Sequence, residues 1–544
     1  MLPRSTRFGA WFPPVILAFA GAALWWIWSP DDPAFRQFQV LRTLGVSALV
    51  LFGLALWAWL ALRGRRGLRL GVLLALAVAA VSLTRLVEFH GFSGDLVPQL
   101  AWRSEAAGPG LPDPPAPTPA PSPDALAAEP EPDVAGESPE QPVEAPEPGT
   151  REPQERPRPS YPQFLGPARN ATLRGIRLAR DWDSAPPERL WRQPIGAGWS
   201  GFAVAEGRAV TQEQREGREV VVAYDLDSGR VIWAVPGETR FESALAGDGP
   251  RATPTLDRGI VWAFGATGVL RAIDLQTGAL LFARDVLQET GGRRPSHGVA
   301  ASPLILGDQV VVLAGGPEGR SLAAYDRTTG ALRWSGGDDP AAYSSPLLAT
   351  LAGVEQIVVF NQHHVTGHSV EDGRVLWQHP WPKGSERVAQ PVVLDDSRLF
   401  VSTGYGVGGQ LLRIVAGASG LGAEMLWESR RLKAKFTQVV YHEGFLYGLD
   451  DGVMVCLDPA DGERRWKQGR YGHGQILLVE DLLLVQGERG DVALVDPSPQ
   501  ELLELTRFQA VEGTAWATPA LAGDLLLVRG DREAACYRLP MRSS

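Results

Sequence analysis

Ala223-Tyr-Asp225-Leu-Asp-Ser-Gly229-Arg-Val-Ile-Trp233 is a stretch that the chain repeats. It returns as Ala272-Ile-Asp274-Leu-Gln-Thr-Gly278-Ala-Leu-Leu-Phe282, as Ala324-Tyr-Asp326-Arg-Thr-Thr-Gly330-Ala-Leu-Arg-Trp334 and as Cys456-Leu-Asp458-Pro-Ala-Asp-Gly462-Glu-Arg-Arg-Trp466. A near match runs from Gly367 through Gly373 to Trp377. Each copy reads as a short strand, a tight turn and a second strand. Asp opens the turn, Gly supplies a positive φ, and an aromatic closes the second strand. One such hairpin says little; five in register mark a repeat architecture.

Counting hairpin ends outward gives Trp191, Trp233, Phe282, Trp334, Trp377, Trp427, Trp466 and a degenerate Leu505, eight in all. A second marker, a polar residue before an apolar strand and often before Pro, falls between them. It stands at Gly201-Phe-Ala203, Ala252-Thr-Pro254, Ala301-Ser-Pro303, Ser344-Ser-Pro346, Ala389-Gln-Pro391, Phe436-Thr-Gln438, Gly472-His-Gly-Gln475 and Ala517-Thr-Pro519, again eight. Trp191 has no hairpin before it, and the three strands expected over 518–540 have no aromatic strand after them. The two ends therefore complete one sheet and close a ring. The fold class is all-β: an eight-bladed β-propeller of four-stranded antiparallel blades over 161–544, about 48 residues per blade.

Upstream, residues 1–103 form a membrane anchor. Transmembrane helices are expected at about 11–30, 43–62 and 70–92 because the first two runs carry no charge and the third meets only Arg85 and Glu88. Arg4 and Arg7 precede the first span, and Arg63, Arg65, Arg66 and Arg69 lie between the second and third. The positive-inside rule then places everything after residue 92 on the extracytoplasmic side of a bacterial-type inner membrane. Residues 104–160 hold seventeen Pro and no aromatic residue. That composition reads as a disordered linker, a tether that lets the propeller work away from the bilayer. The net charge of −10 is +6 over 1–103, −9 over 104–160 and −7 over 161–544. A mildly acidic propeller argues against nucleic acid as its ligand. Cys456 and Cys536 occupy the same repeat position on separate blades and read as buried small residues, not as a bridge.

The repeat, with its small residue, Asp, Gly and outer Trp, resembles that of the PQQ-type propellers, both quinoprotein alcohol dehydrogenase-like and BamB-like. Tyr161-Pro-Gln-Phe-Leu-Gly-Pro167 is similar to the opening segment common in that group. The resemblance implies either a non-enzymatic binding module or a dehydrogenase. In the dehydrogenases the quinone lies between a Trp and a disulfide of adjacent cysteines, beside a Ca²⁺ held by Glu and Asn, with an Asp base. No adjacent cysteine pair exists here, and no such ligand set can be carried over by motif. The expectation is a membrane-tethered binding or scaffold module for proteins, peptides or cell-envelope components, with no cofactor. The alternative is a PQQ- and calcium-dependent dehydrogenase passing electrons to membrane quinone.

Propeller geometry locates the candidate site. Loops entering the innermost strands converge at one channel mouth, which gathers Trp199, Arg251, His297, Tyr343, Gln390, Lys435, His473 and Trp516, with Glu213 added from Thr211-Gln-Glu-Gln-Arg215. This polar, aromatic and cationic rim suits a small polar or anionic ligand or a peptide edge. His363, His364 and His368 invite a metal reading, but they fall on a strand and turn, where residues four apart do not share a helix face. Asp450-Asp451-Gly452 reads as a hairpin turn. No catalytic residue is assigned.

Overall fold

The computed structural model describes residues 5–28, 36–61, single positions between 67 and 78, 85–95, 97–102, and 160–542 except 244, 385 and 419. Within 160–542 the strands form eight sheets, each a blade. Seven hold consecutive four-stranded meanders over 203–236, 255–285, 304–336, 347–380, 392–429, 440–470 and 475–509, and Thr172–Leu173 adds a fifth, parallel strand at the inner edge of the last. We number these blades 1 to 7. Blade 8 takes three strands from 520–538 and its outermost from Glu188–Pro194, paired through Cys536↔Trp191 and Ala535↔Arg192. The expected closure by both ends of the propeller is therefore what forms.

The repeat explains itself once the partners are read off. The opening small residue sits across from the closing aromatic: Ala223↔Trp233, Ala272↔Phe282, Ala324↔Trp334, Gly367↔Trp377, Leu411↔Trp427 and Cys456↔Trp466. Each aromatic except Trp377 then reaches into the turn of the next blade. Trp191 Nε1 donates to Leu226 O and Trp233 Nε1 to Leu275 O, both at 2.9 Å. A Cβ added to the turn glycine would collide with the ring, at 2.7 Å for Gly229 on Trp191 and 2.8 Å for Gly278 on Trp233. These glycines also hold φ near +70°, so two constraints demand them. The eighth marker needs correcting: Leu505 is the unpaired bulge residue, and Thr506 stands opposite Leu494 in the aromatic's place. Both cysteines are free and buried, and burial raises the Cys456 thiol to about 11 and the Cys536 thiol to about 12.

The second marker is a ring of stitches around the axis. Gly201 N donates to Thr253 Oγ1 (3.2 Å), Thr253 N to Ser302 Oγ (3.0 Å), Ser302 N to Ser345 Oγ (2.9 Å) and Ser345 N to Gln390 Oε1 (2.6 Å). The opening segment lies inside this ring. Tyr161 pairs with Val204, Leu256 N donates to Pro162 O, Arg169 donates to Ser302 O and Pro303 O, and Leu478 N donates to Ala171 O. The channel is thus filled by the chain itself.

Helices α1 (Ser5–Trp28) and α2 (Arg36–Ala61) coincide with the first two expected spans. Among the described residues no helix is long and apolar enough to cross a membrane. The third expected span, 70–92, is wrong at its end: Val87–Phe92 is a strand, β1, paired with Pro98–Trp102, β2. Val87, Phe89 and Phe92 favour extended backbone, Gly91 weakens a helix, and the opposing strand takes their hydrogen bonds. Of the rest of that span only Leu70, Gly71, Leu74, Val78, Arg85 and Leu86 are described, all of them helical, and the linker over 104–159 lies outside the described residues.

Trp233→Ala removes a buried ring and its inter-blade hydrogen bond. It should lower unfolding free energy by about 3–5 kcal/mol in denaturant titration, whereas Leu332→Ala, at an exposed position of an outer strand, should stay within about 0.5 kcal/mol. Both thiols should resist an aromatic disulfide reagent until the propeller unfolds.

Candidate functional site

The loops before the inner strands do converge, around a cavity of about 340 Å³. Phe164 of the opening segment reaches it from inside the channel, and Trp199, Arg251, His297, Tyr343, Lys435 and Trp516 line it. Trp199 and Trp516 pack at a tilt, 4.6 Å between ring centroids and 38° between planes, and Phe436 meets Trp516 edge-on at 5.1 Å. Opposite them, His297 lies against Tyr343 at 5.7 Å, and the Tyr343 hydroxyl is 3.0 Å from Ser296 Oγ.

Cations hold the wall between these aromatic pairs. Arg251 donates to Gly249 O, Ala246 O and Gly247 O and lies 4.7 Å from the centre of the Phe241 ring. Burial lowers it to about 10, so it stays charged at neutral pH. Lys435 stands 4.9 Å from the Tyr405 ring centre, and burial lowers its pKa as well. Burial likewise lowers the His297 pKa and favours its neutral form, with Nδ1 buried and lacking a hydrogen-bond partner. The cavity thus offers flat apolar faces, buried donors and one lining carboxylate, Glu386.

Three expected residues do other work. Gln390 is consumed by the inner stitch: its Oε1 accepts from Ser344 Oγ and Ser345 N, and its Nε2 donates to Ser345 O. Glu213 is not on the rim at all. It lies buried on the second strand of blade 1, accepting from Gly196 N (2.6 Å), Arg215 Nε (2.9 Å) and the Tyr224 hydroxyl. Beside it, buried Arg529 of blade 8 donates to Ser200 O, Thr211 Oγ1, Gln212 O and Gly196 O, which ties the seam where the ring closes. His473 is at the mouth but outside the cavity lining. It packs on Phe436 at 5.2 Å, and its Nε2 is 3.2 Å from Asp95 Oδ1.

Asp95 belongs to the turn between β1 and β2, and that turn sits in the mouth. Gly94 N donates to Glu488 Oε1 at 2.6 Å, Lys435 Nζ donates to Gly94 O, and Thr514 Oγ1 donates to Gln99 Oε1 at 2.7 Å. The sequence reading has the linker free the propeller from the membrane region. These contacts instead hold the mouth against a segment that precedes the linker. Glu488 and Tyr405 were not anticipated. Glu488 also accepts from His473 N and Trp516 Nε1, at 3.1 and 3.0 Å, and its one sequence signal is the Gly487-Glu-Arg-Gly490 turn. Tyr405 holds φ +60° within Gly404-Tyr-Gly406, a conformation rare for a bulky residue and a mark of functional loops.

The histidine trio is divided. His363 and His364 each turn Nδ1 toward Asp339, at 2.6 and 3.3 Å, while His368 is buried between Gly373 O and Thr366 Oγ1. Asp450-Asp451-Gly452 is a hairpin turn, with Asp450↔Val453 closing it and Lys433 and Lys467 paired to Asp450. For a calcium-bound quinone, the cationic wall suits the quinone's carboxylates and the indoles its flat rings. The metal is not provided for: one carboxylate lines the cavity, and among the described residues no three His, Cys, Asp or Glu side chains are grouped to hold an ion. The cysteines lie on blades 6 and 8, so they cannot form the adjacent-pair disulfide either. The donor set does not fit that pair.

The sequence profile of the family described as outer membrane protein assembly factor BamB matches residues 180–294 and 217–468, together more than half of the chain. Among solved structures, BamB from Moraxella catarrhalis is 16% identical with a TM-score of 0.47, covering 65% of this chain and 100% of that one. Quinohemoprotein alcohol dehydrogenase ADHIIG from Pseudomonas putida HK5 is 13% identical with a TM-score of 0.43, covering 71% and 81%. The computationally designed Ika8 protein is 12% identical with a TM-score of 0.47, covering 65% and 100%. No curated protein matches the chain.

Glu213→Gln should leave buried Arg215 without its countercharge and destabilise the propeller by about 3–5 kcal/mol. Tyr405→Ala, at the mouth, should shift the melting midpoint far less.

Proposed function

The chain belongs to the PQQ-like propeller family described as outer membrane protein assembly factor BamB, and from that premise we propose that it is a membrane-tethered, extracytoplasmic propeller that binds proteins at its channel mouth. The observation that carries the reading is the mouth itself. A tilted indole pair, edge-on Phe436, buried Lys435 and half-buried Arg251 surround a cavity of about 340 Å³ whose deep end is stopped by the opening segment. Aromatic and cationic anchors in a desolvated pocket are the composition of protein-binding hot spots. A blocked channel offers a surface for a protruding side chain or turn rather than a passage.

Membrane attachment rests on the uncharged runs 11–30 and 43–62. It is supported by Phe19, Trp25, Leu49 and Phe52, each about 70% exposed on α1 and α2, an apolar surface that water does not favour. The arginines between residues 63 and 69 support an extracytoplasmic position for the propeller at the inner membrane. Quinone chemistry is not part of the reading, because one carboxylate lines the cavity and among the described residues no three His, Cys, Asp or Glu side chains are grouped to hold calcium.

A photoreactive residue in place of Tyr405, in the full chain in its native membrane, should yield a discrete protein adduct. Lys435→Glu should abolish that adduct, and the same probe at Leu332 should not form it. An adduct pattern indifferent to Lys435, or none, contradicts mouth binding. Purified full chain mixed with pyrroloquinoline quinone and Ca²⁺ should develop no cofactor absorbance band and no dye reduction; either signal restores the dehydrogenase.

A further inference from the structure

We infer that the channel mouth is a receptor for a protein turn in which glycine precedes an acidic residue, and that the chain's own Ser93-Gly94-Asp95 turn occupies this receptor in cis. The inference deepens the protein-binding reading above and rests on it. Gly94 is buried, and both of its backbone groups are met by side chains: the N–H by Glu488 Oε1 at 2.6 Å and the carbonyl by Lys435 Nζ. A residue whose N–H meets a carboxylate and whose carbonyl meets an ammonium is recognised through its backbone, which any chain of the right shape can supply.

Side-chain selectivity comes from the neighbours. A Cβ on residue 94 would lie 2.1 Å from His473 Cδ2 and 2.6 Å from its Cγ, so the site admits glycine alone unless His473 moves. That imidazole is wedged against Phe436, and its own backbone N–H is bound to Glu488. The next residue is chosen by a hydrogen bond to the same ring: Asp95 Oδ1 is 3.2 Å from His473 Nε2. The turn is locked by Ser93 N donating to Val97 O at 2.9 Å and Val97 N donating to Ser93 Oγ at 3.1 Å.

The cradle is made by the propeller rather than by the hairpin. Glu488 is positioned by His473 N and Trp516 Nε1, and Lys435 is carried by the loop entering blade 6. The turn occupies only an edge of the mouth, where Ser93 and Gly94 become part of the cavity wall. A tethered turn of this kind acts at an effective concentration on the order of millimolar, so an incoming turn must bind about as well or act where the hairpin is drawn away.

The test uses the full chain in detergent micelles and a fluorescent, disulfide-cyclised peptide of sequence 87–102. Gly94→Val should expel the resident turn and let the chain bind the peptide. The wild-type chain should bind it at least about tenfold more weakly, because its own turn competes. A peptide with valine at the glycine position should bind Gly94→Val at least about tenfold more weakly than the parent peptide. No binding to Gly94→Val, or equal binding of both peptides, overturns the inference. Residue 94 lies outside the ring, so the variant's melting midpoint should match wild type. A second variant avoids reliance on it: a Cβ at 94 would be 3.0 Å from His473 Cβ, closer than the ~3.5–4.5 Å of a disulfide, so Gly94→Cys with His473→Cys should oxidise to a bridge once the turn gives by about half an ångström. Failure of that bridge to form also overturns cis occupancy. If the Tyr405 probe captures a protein while the peptide fails, protein binding stands and the glycine–acid preference falls.

Discussion

An aromatic ring seated on a glycine of the neighbouring turn is the contact on which this molecule depends. It recurs from Trp191 on Gly229, through Trp233 on Gly278, Phe282 on Gly330 and Trp334 on Gly373, to Trp427 on Gly462. A four-stranded sheet of this size cannot bury its faces alone, so each blade is stable only against its neighbours. The glycine admits the ring to van der Waals distance, and its positive φ shapes the turn that receives it. Where the indole N–H also reaches a carbonyl of the next blade, as with Trp191, Trp233, Trp427 and Trp466, the contact is directional as well as apolar. Ring closure is the same contact made once more, with the ring supplied from the other end of the propeller's chain.

That outer lattice leaves the axis free for polar work, and the chain uses it in layers. Nearest the packed sheets, Thr253, Ser302, Ser345 and Gln390 pass hydrogen bonds from blade to blade. Within them the opening segment fills the channel. Only above it do Arg251, Lys435, Trp199 and Trp516 face open space. The cavity they line opens at the channel mouth, and the mouth is held by the hairpin adjoining the apolar N-terminal region. The side that recognises partners and the side nearest the membrane are, in this reading, the same side.

The architecture was legible in the sequence because the packing contact recurs. Asp, Gly and an aromatic at fixed spacing are enough to place five hairpins, and the two ends supply the last blade by subtraction. Thr506 was missed because that hairpin is longer and its ring is gone, leaving no chemical signal at the position. At the site, six of nine candidates line the cavity because they precede inner strands, a topological argument. Glu213 failed because it lies on the second strand, where a carboxylate beside Arg215 serves the closing seam. Gln390 failed because residues before inner strands stitch blades as readily as they face a ligand. The β1–β2 hairpin could not be seen at all: its strands lie where an apolar run fades, and its partners Lys435, Glu488 and His473 are more than 340 residues away.

Closure of the ring by strands from both ends is tested most directly by hydrogen exchange on the folded chain. Amides of Glu188–Pro194 and Glu533–Arg538 should be protected together, and as strongly as the matching outer pair Arg320–Asp326 and Leu332–Gly336 of blade 3. Rapid exchange of 188–194, or protection of 533–538 that survives when Trp191 is replaced by Ala and 188–194 becomes exposed, contradicts a ring that depends on that shared blade.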